Sequence, residues 1–233
     1  MTKTALVTGG SSGIGEATAE ALAQDGWHVI VAARRADRVA AIAERIGGTA
    51  VVVDVTDVDA VQRMADSIDS LDLLVNNAGG AKGLDSIAEA NVDDWRWMYE
   101  TNVLGTLNVT QALLDKLIAS EGTIINIGSI AAITPYKGGA GYNAAKFGVR
   151  AMTKVLRQEM EGLPIRVTEI DPGRVKTDFS LVRFKGDEAK ADAVYADKLN
   201  LTAQDIAESI RWVAALPAHM CIENMTIKPR DQV

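Results

Sequence analysis

The chain has 233 residues, of which 48% are hydrophobic, and its net charge is -7 with an isoelectric point near 4.9. This length and apolar content suffice for one sizeable core, and the negative charge excludes nucleic acid and anionic membranes as favoured partners. A single cysteine, Cys221, rules out an intrachain disulfide and suits a reducing compartment.

The chain carries no segment that predicts export or membrane insertion. Its first residues, MTKTALVTGG, enter a strand-like run at once, and no apolar run reaches the length of a membrane span. We therefore expect a cytoplasmic protein with no membrane partner. No repeat, low-complexity tract or proline-rich linker divides the sequence, so residues 1–233 are expected to form one domain.

Short apolar runs alternate with helical stretches along the whole chain. The runs cover residues 4–7, 28–33, 50–53, 72–75, 123–127, 165–170 and 225–227. Helices are predicted over residues 14–25, 37–46, 57–68, 95–119, 142–161 and 203–215. Because the apolar runs lack polar alternation and helices separate them, they predict a parallel sheet covered on both faces. The predicted fold class is a doubly wound α/β sheet.

The first predicted strand runs into a glycine-rich turn, TGGSSGIG, over residues 8–15. Glycines 9, 13 and 15 allow a tight turn and a close approach to a pyrophosphate, towards which the helix starting near Ile14 directs its N–H groups. The spacing departs from the common G-x-G-x-x-G fingerprint, and such a turn can be a plain connection. Its position directly after the first strand favours nucleotide binding.

The second predicted strand ends in AARRADR, which places Arg34 and Arg35 where an acid would bind the ribose of NAD. Arginine forks bind phosphate in a bidentate manner, whereas an acid would repel the 2'-phosphate. The two arginines therefore predict NADP(H) as the cofactor. Two alternatives stay open: solvated charges at a helix start, or NAD binding through Asp37.

The stretch GYNAAKFG, residues 141–148, places Tyr142 and Lys146 four positions apart, on one face of a predicted helix. A nearby ammonium favours the phenolate, so we expect Lys146 to lower the pKa of Tyr142 and to make it a proton donor and acceptor. The alternative is a half-buried aromatic beside a solvated lysine.

Six motifs in register resemble the short-chain dehydrogenase/reductase family, and they span essentially the whole chain. They are TGGSSGIG (8–15), NNAG (76–79), Asn102, Ser129, YNAAK (142–146) and PG (172–173). The resemblance implies a single-domain Rossmann fold with a mainly parallel seven-stranded sheet. It also implies a homo-oligomer, commonly a tetramer, with an interface on the helices at 95–119 and 142–161.

The resemblance implies a catalytic role for four residues. Tyr142 would give a proton to a carbonyl oxygen in reduction and remove one from a hydroxyl in oxidation. Lys146 would lower the pKa of Tyr142 and bind the nicotinamide ribose, and Ser129 would orient and polarise the carbonyl. Asn102 would hold a water in a proton relay behind the lysine. Locally, Ser129 could instead cap a turn, and Asn102 could satisfy the backbone of a bend.

The cofactor-binding residues implied by the resemblance lie in the two glycine-containing turns, at strand ends and on the Tyr-Lys helix. They are Gly9, Ser11, Ser12, Gly13, Ile14, Gly15, Arg34, Arg35, Asp54, Val55, Asn77, Ala78, Gly79, Tyr142, Lys146, Pro172, Gly173, Val175 and Thr177. No metal is expected.

The last third of the chain is similar to one bacterial group of the family, the NADP-dependent 3-hydroxy acid dehydrogenases. This group includes serine or L-allo-threonine dehydrogenase and malonic semialdehyde reductase. The similarity lies in IRVTEIDPGRV, in the stretch that follows it, and in LTAQDIAESIRWVAALPAHMCIENMTIKP. It implies small 3-hydroxy acids or their 3-oxo forms as substrates, for example L-allo-threonine, L-serine and 3-hydroxypropionate. The chain departs from the group at Lys176 and Thr177, where a glycine-rich continuation is expected.

Residues 172–201 are the least regular stretch and predict a substrate-binding lid. Ser129 and Tyr142 would contact the reacting carbonyl, and a cation would bind the substrate carboxylate. We favour Arg183 over Lys185 and Arg174 because its planar fork matches a carboxylate, although all three could be solvated loop charges. The alternative functions are a general NADPH-dependent carbonyl or 3-oxoacyl reductase and, less favoured, a catalytically silent NADP-sensing protein.

Overall fold

Seven parallel strands form a single sheet in the computed structural model, which describes residues 2–232. The strands are β1 (Thr4–Thr8), β2 (His28–Ala33), β3 (Thr49–Val52), β4 (Leu73–Asn76), β5 (Thr123–Ile127), β6 (Arg166–Pro172) and β7 (Asn224–Ile227). Their order is β3-β2-β1-β4-β5-β6-β7, and all neighbouring pairs are parallel. The prediction of a doubly wound α/β Rossmann fold is confirmed.

Helices connect the strands and cover both faces of the sheet. They are α1 (Gly13–Gln24), α2 (Ala36–Ile46), α3 (Val58–Asp66), α4 (Val92–Tyr99), α5 (Gly105–Ala119), α6 (Ala140–Glu159), α7 (Phe179–Arg183), α8 (Glu188–Ala193) and α9 (Ala203–Ala214). No helix within residues 2–232 is both long and apolar enough to cross a bilayer.

Two predicted segments differ from the structure. The single helix predicted over residues 95–119 is interrupted by a π-helical turn, Glu100–Leu104, which separates α4 from α5. Such turns insert an extra residue into an otherwise continuous helix. The stretch 172–201, predicted as irregular, contains the short helices α7 and α8. Helices of five and six residues are too short to show a helical period in the sequence.

Alternate side chains of the strands enter two separate apolar layers. On β1, Ala5 and Val7 pack into the layer beneath α1, α2 and α9, whereas Leu6 packs into the layer beneath α3, α5 and α6. This division follows from the two-residue period of a strand. Because both faces are buried, the strands are continuously apolar, which is the pattern that the sequence displays.

The order of the strands reverses between β1 and β4, and this reversal positions the site. The chain leaves β1 towards β2 on one side of the sheet and leaves β4 towards β5 on the other side. The connections after β1 and β4 therefore diverge and open a crevice at the carboxyl edge of the sheet. The glycine turn and the NNAG turn follow these two strands and so face each other across this crevice.

Burial on α3 predicts unequal effects of two identical substitutions. Val61 is 1% exposed and Val58, on the same helix, is 61% exposed. Val61→Ala should lower the free energy of unfolding by about 2 kcal/mol, since it removes two buried carbons and leaves a cavity. Val58→Ala should change it by less than about 0.5 kcal/mol. Urea denaturation followed by circular dichroism measures both, and equal losses would contradict the described packing of α3.

Candidate active site

The glycine turn after β1 has a backbone that side chains would obstruct. Gly9 and Gly13 have φ of 63° and 57°, and a Cβ on Gly15 would lie 2.3 Å from the carbonyl oxygen of Gly9. Ser12 is the N-cap of α1, but its side chain makes no capping hydrogen bond. The first N–H groups of α1 are therefore available to an anion, as binding of a pyrophosphate requires.

The NNAG turn after β4 is tied to the glycine turn by side-chain hydrogen bonds. Asn77 Nδ2 donates to the carbonyl oxygens of Thr8 (3.0 Å) and Gly9 (3.3 Å). Thr8 Oγ1 accepts from the backbone N–H groups of Asn77 (3.0 Å) and Ala78 (3.1 Å). These bonds hold the two walls of the crevice at a set spacing.

Arg35 lies across the glycine turn. Its Nη2 donates to Ser11 Oγ (2.8 Å) and to Ser12 Oγ (2.6 Å), and its Nε donates to Ser11 Oγ (3.1 Å). Burial, followed by the charge of Arg38, lowers the pKa of Arg35. Arg38 is a third cation near the turn that the sequence analysis missed, although it lies in the same AARRADR run. Clustered guanidinium groups beside a glycine turn fit a dinucleotide with an additional phosphate.

Arg34 and its neighbours lie further from the turn. Arg34 Nη1 is 3.7 Å from Asp54 Oδ2, and Asp54 Oδ1 also accepts from the backbone and hydroxyl of Thr56. Val55 is buried, and a Cβ on Gly105 would lie 2.5 Å from its Cγ2. Asp54 and Val55 therefore stand at the end of β3, beside the arginine pair.

Tyr142 and Lys146 lie on one face of α6, as their spacing predicts. Lys146 Nζ is 5.8 Å from the centroid of the Tyr142 ring and donates to the carbonyl oxygen of Ile127 (2.8 Å) at the end of β5. Lys146 is only 6% exposed, so its ammonium is not a solvated surface charge. The alternative of a solvated lysine beside a half-buried aromatic is thereby excluded.

Burial shifts the pKa values of both Tyr142 and Lys146 towards their neutral forms. Burial raises the pKa of Tyr142 to about 12, against the hydrogen bond from Ser129 and the charge of Arg183, which act to lower it. Burial lowers the pKa of Lys146 to about 8. Burial and the neighbouring Tyr136 outweigh the two groups that act to lower the pKa of Tyr142. A lowering of this pKa by Lys146 stays a prediction.

Ser129 both caps a short helix and lines the cavity. Its hydroxyl accepts from the N–H of Ala131 (3.1 Å) and caps the short 3-10 helix Ile130–Ala132. The same side chain lines the cavity beside Tyr142. Its own N–H donates to Asp171 Oδ1 (2.8 Å) on β6. Capping and positioning are therefore compatible at this residue.

Asn102 lies in the π-helical turn and is buried behind Lys146. Its Nδ2 donates to the carbonyl oxygens of Gly80 (2.9 Å) and Met98 (2.7 Å), and its Oδ1 accepts from the N–H of Gly80 (3.2 Å). A Cβ on Gly79 would lie 2.5 Å from Asn102 Oδ1 and 3.7 Å from Lys146 Nζ. The amide of Asn102 thus fixes the backbone that separates it from the lysine.

A cavity of about 460 Å³ runs along the crevice and collects most of the predicted site residues. Those that line it are Gly9, Ser12, Gly13, Ile14, Asn77, Gly79, Ser129, Tyr142, Lys146, Pro172, Gly173, Val175, Thr177 and Arg183. Those that do not line it are Ser11, Gly15, Arg34, Arg35, Asp54, Val55, Ala78 and Asn102. Most of the second set support or flank the two turns rather than facing the cavity.

Arg183 projects from α7 into the cavity and is only 8% exposed. Its Nη2 donates to the hydroxyl of Tyr136 (2.7 Å), and its Cζ lies 5.2 Å from the Tyr142 ring and 4.9 Å from the Phe179 ring. Its Nε has no hydrogen-bond partner, and within residues 2–232 no carboxylate forms an ion pair with it. The sequence analysis missed Tyr136 and Phe179, since isolated aromatics in loops carry no pattern.

The other two cations considered from the sequence are already paired. Arg174 Nη2 lies 2.8 Å from Asp231 Oδ1, and Lys185 Nζ lies 2.8 Å from Asp94 Oδ2. Lys185 is also largely exposed. Of the three cations considered from the sequence, only Arg183 is both buried and directed into the cavity without a carboxylate partner among the described residues.

Comparison with known proteins places this geometry in context. The family model for short chain dehydrogenases matches residues 3–187. An uncharacterized oxidoreductase of Mycobacterium tuberculosis is 57% identical over 231 residues, covering 99% of this chain and 92% of that protein. The NADP-dependent 3-hydroxy acid dehydrogenase of Salmonella typhi is 41% identical over 235 residues, with coverage of 97% and 95%. The solved closed form of a serine dehydrogenase complexed with NADP+ superimposes with a TM-score of 0.96 at 39% identity, with coverage of 99% and 96%.

The position of Arg35 predicts which cofactor its loss affects. Arg35→Ala should weaken NADPH binding by about 10- to 100-fold, the value of a charge-assisted hydrogen bond, and leave NADH binding within about twofold. Fluorescence titration with each cofactor measures the two dissociation constants. Arg63→Ala on α3, which removes an exposed arginine, is the control and should change neither. Equal losses for both cofactors would contradict contact between Arg35 and the additional phosphate.

Proposed function

This chain belongs to the short-chain dehydrogenase family, and we propose that it transfers a hydride between NADP and a small 3-hydroxy acid or its 3-oxo form. It is an oxidoreductase that uses NADP(H), like its NADP-dependent relatives. The family resemblance and the cofactor predicted from the sequence are confirmed. The substrate is the new element of the proposal. Its main support is the buried Arg183, which has no carboxylate partner among residues 2–232.

The buried guanidinium group of Arg183 favours binding of an anion in the cavity. Burying a charge without an opposite charge beside it is costly, and no carboxylate among residues 2–232 forms an ion pair with Arg183. A substrate carboxylate would accept two parallel N–H bonds from the fork. Tyr136, which accepts one N–H of Arg183, holds the fork in orientation.

The separation of Arg183 from Tyr142 favours a short substrate. The Cζ of Arg183 is 5.2 Å from the centroid of the Tyr142 ring. A molecule that contacts both must carry its carboxylate a few bonds from its hydroxyl or carbonyl carbon, and 3-hydroxy acids have this spacing. The similar proteins are named for 3-hydroxy acids and for serine. We therefore propose L-serine, L-allo-threonine and 3-hydroxypropionate as the first candidates.

In the proposed chemistry, the protein moves a proton and orients the substrate. When bound, NADP(H) supplies or accepts the hydride. Tyr142 gives its proton to the carbonyl oxygen in reduction and takes one from the hydroxyl in oxidation. Ser129, which lines the cavity with Tyr142, donates to the same oxygen and polarises the carbonyl. Lys146 supplies a positive charge beside the phenolate, and Asn102 holds the backbone behind Lys146.

We assign the two ends of the crevice to different parts of the reaction. The glycine turn, the NNAG turn, Arg34 and Arg35 bind the phosphates and the adenosine. The end lined by Thr177, Tyr136 and Arg183 binds the nicotinamide and the substrate. Residues 172–201, with α7 and α8, form the lid over that end. The N–H of Gly83 donates to the carbonyl oxygen of Arg183 (2.9 Å), a contact that joins the lid to the body of the sheet.

We also propose a homo-oligomer, with a tetramer favoured, acting in the cytoplasm. The support is the outer face of α5 and α6, where large apolar side chains are exposed. They are Leu107, Phe147 and Val155, with Leu104 in the adjoining π-helical turn. Contiguous exposed apolar side chains favour an interface.

Replacing Arg183 tests the substrate assignment. Arg183→Leu, which keeps apolar bulk, should raise the KM for 3-hydroxy acids by about 30-fold or more, because a carboxylate loses its charged partner. The KM for a neutral secondary alcohol should change by less than about threefold. Steady-state NADP+ reduction, followed by absorbance, measures both.

Lys185→Ala provides the matched control, since it removes a cation from the same lid that is paired with Asp94. Any change it causes should be the same for acidic and neutral substrates. An Arg183→Leu variant with equal effects on both substrates would refute carboxylate binding and favour a general carbonyl or 3-oxoacyl reductase.

Replacing Tyr142 tests whether the site is catalytic. Tyr142→Phe should lower kcat by about 100- to 10,000-fold, the usual contribution of a general acid-base group, while NADPH binding stays within about twofold. Stopped-flow turnover and cofactor titration on the same preparation separate the two effects. Identical negligible turnover by the wild type and the variant on every substrate would instead indicate a silent NADP-sensing protein.

A further inference from the structure

Two carboxyl groups are buried directly behind the catalytic candidates. Glu169 and Asp171 lie two residues apart on β6 and so face the same side of the sheet, towards α6. They are 2% and 0% exposed. A Cβ on Gly128 would lie 2.1 Å from Asp171 Oδ1 and 3.0 Å from Glu169 Oε1, so both groups meet beneath one backbone position. Two adjacent buried carboxylates repel each other, so such a pair is unfavourable unless one group is protonated or an opposite charge lies nearby.

Donors from three elements surround the carboxyl group of Asp171. Its Oδ1 accepts the N–H of Ser129 (2.8 Å) at the end of β5. Its Oδ2 accepts from Asn224 Nδ2 (2.7 Å) on β7 and lies 3.3 Å from Arg150 Nη1 on α6. Hydrogen bonds and a cation directed at the charged form favour that form.

Glu169 has the opposite environment. Its Oε1 has no hydrogen-bond partner within the described residues. Burial, with the neighbouring Asp171, raises the pKa of Glu169 to about 8. Donors and a cation therefore gather at Asp171, whereas Oε1 of Glu169 has no donor within the described residues.

The groups that face Asp171 and Glu169 are those of the proposed chemistry. From α6 they are Lys146, Arg150 and Tyr142, while β5 and β7 contribute the uncharged Ser129 and Asn224. Against the effect of burial, Asp171 and then Glu169 act to raise the pKa of Lys146. Arg150 pairs with Asp171 from 24% exposure and lies at the rim, whereas Lys146 has no ion-pair partner of its own within residues 2–232.

We propose that Asp171 is a positioning residue: its carboxylate fixes the main chain of Ser129 and supplies the negative charge that keeps the buried Lys146 protonated. Glu169 is the neutral member of the pair and sets how much charge faces α6 as the pH rises. Neither acid contacts the substrate. The inference rests on the roles proposed above for Ser129 and Lys146.

The titration of Lys146 tests the charge directly and needs no substrate. Lysine labelled with carbon-13 at Cε reports the titration midpoint by NMR, and Lys146→Met identifies the signal. Asp171→Asn keeps an acceptor for the N–H of Ser129 but removes the charge, so the midpoint of Lys146 should fall by roughly half a pH unit or more. Glu169→Gln should shift it by less than half as much. Asp69→Asn, an exposed acid at the end of the loop after α3, is the matched control and should not shift it.

The pH dependence of turnover distinguishes positioning from a purely structural role. In NADPH-dependent reduction, kcat should fall as the pH rises, because Tyr142 and Lys146 lose the protons that the step requires. Asp171 acts to raise the pKa of both groups. The fall should therefore move to lower pH in Asp171→Asn. A purely structural role would lower kcat at every pH and leave the midpoint in place.

The outcomes separate this inference from the substrate proposal. A folded Asp171→Asn protein with an unshifted Lys146 midpoint overturns the inference, whichever substrate is turned over. A shifted midpoint with no turnover of 3-hydroxy acids supports the inference and refutes the substrate. If Asp171→Asn does not fold, carbon-13 NMR of wild-type carboxyl groups decides. One glutamate, absent from Glu169→Gln, should titrate near pH 8, and its absence from the wild type overturns the inference.

Discussion

Lys146 carries its ammonium to a position that water scarcely reaches, at the carboxyl edge of the sheet. A buried charge in such a place is stable only if fixed dipoles and opposite charges replace its hydration. The carbonyl oxygen of Ile127 provides the dipole, and Asp171 provides the opposite charge from the next strand. The arrangement of β5, β6 and α6 around this lysine therefore determines what the site can do.

The two ends of the crevice present their positive charges in different ways. At the phosphate end, arginines gather beside a turn whose free N–H groups add to their attraction for anions. At the other end, Arg183 is enclosed by aromatic rings and by the hydroxyl of Tyr136, and it retains an unsatisfied N–H. The first end suits a large anion approached from solvent, and the second suits a small one that is enclosed. The sheet supports both ends of the crevice, because the carboxyl ends of its seven parallel strands lie at one edge.

Desolvation also limits what the spacing of residues along the chain can predict. Two residues four apart on a helix are neighbours, and this was sufficient to place Tyr142 beside Lys146. Spacing carries no information about burial, and burial shifts both groups towards their neutral forms. The spacing of residues likewise did not predict the π-helical turn at Asn102. It adds a residue to the helix, and the Asn102 amide in this turn bonds to the backbone of Gly80.

By itself, the sequence determined the features that depend on neighbouring residues. These are the seven strands, the glycine turn after β1, the arginines after β2 and the shared face of Tyr142 and Lys146, all set by local periodicity and chain geometry. The tertiary structure alone decided that Arg183, of the three cations considered from the sequence, lacks a carboxylate partner among the described residues, since Arg174 and Lys185 find Asp231 and Asp94 at separations of 57 and 91 residues. It also decided the charge behind Lys146, because the acids of β6 reach α6 only after the sheet has formed. Pairing and desolvation are properties of groups distant in the chain, and no local pattern records them.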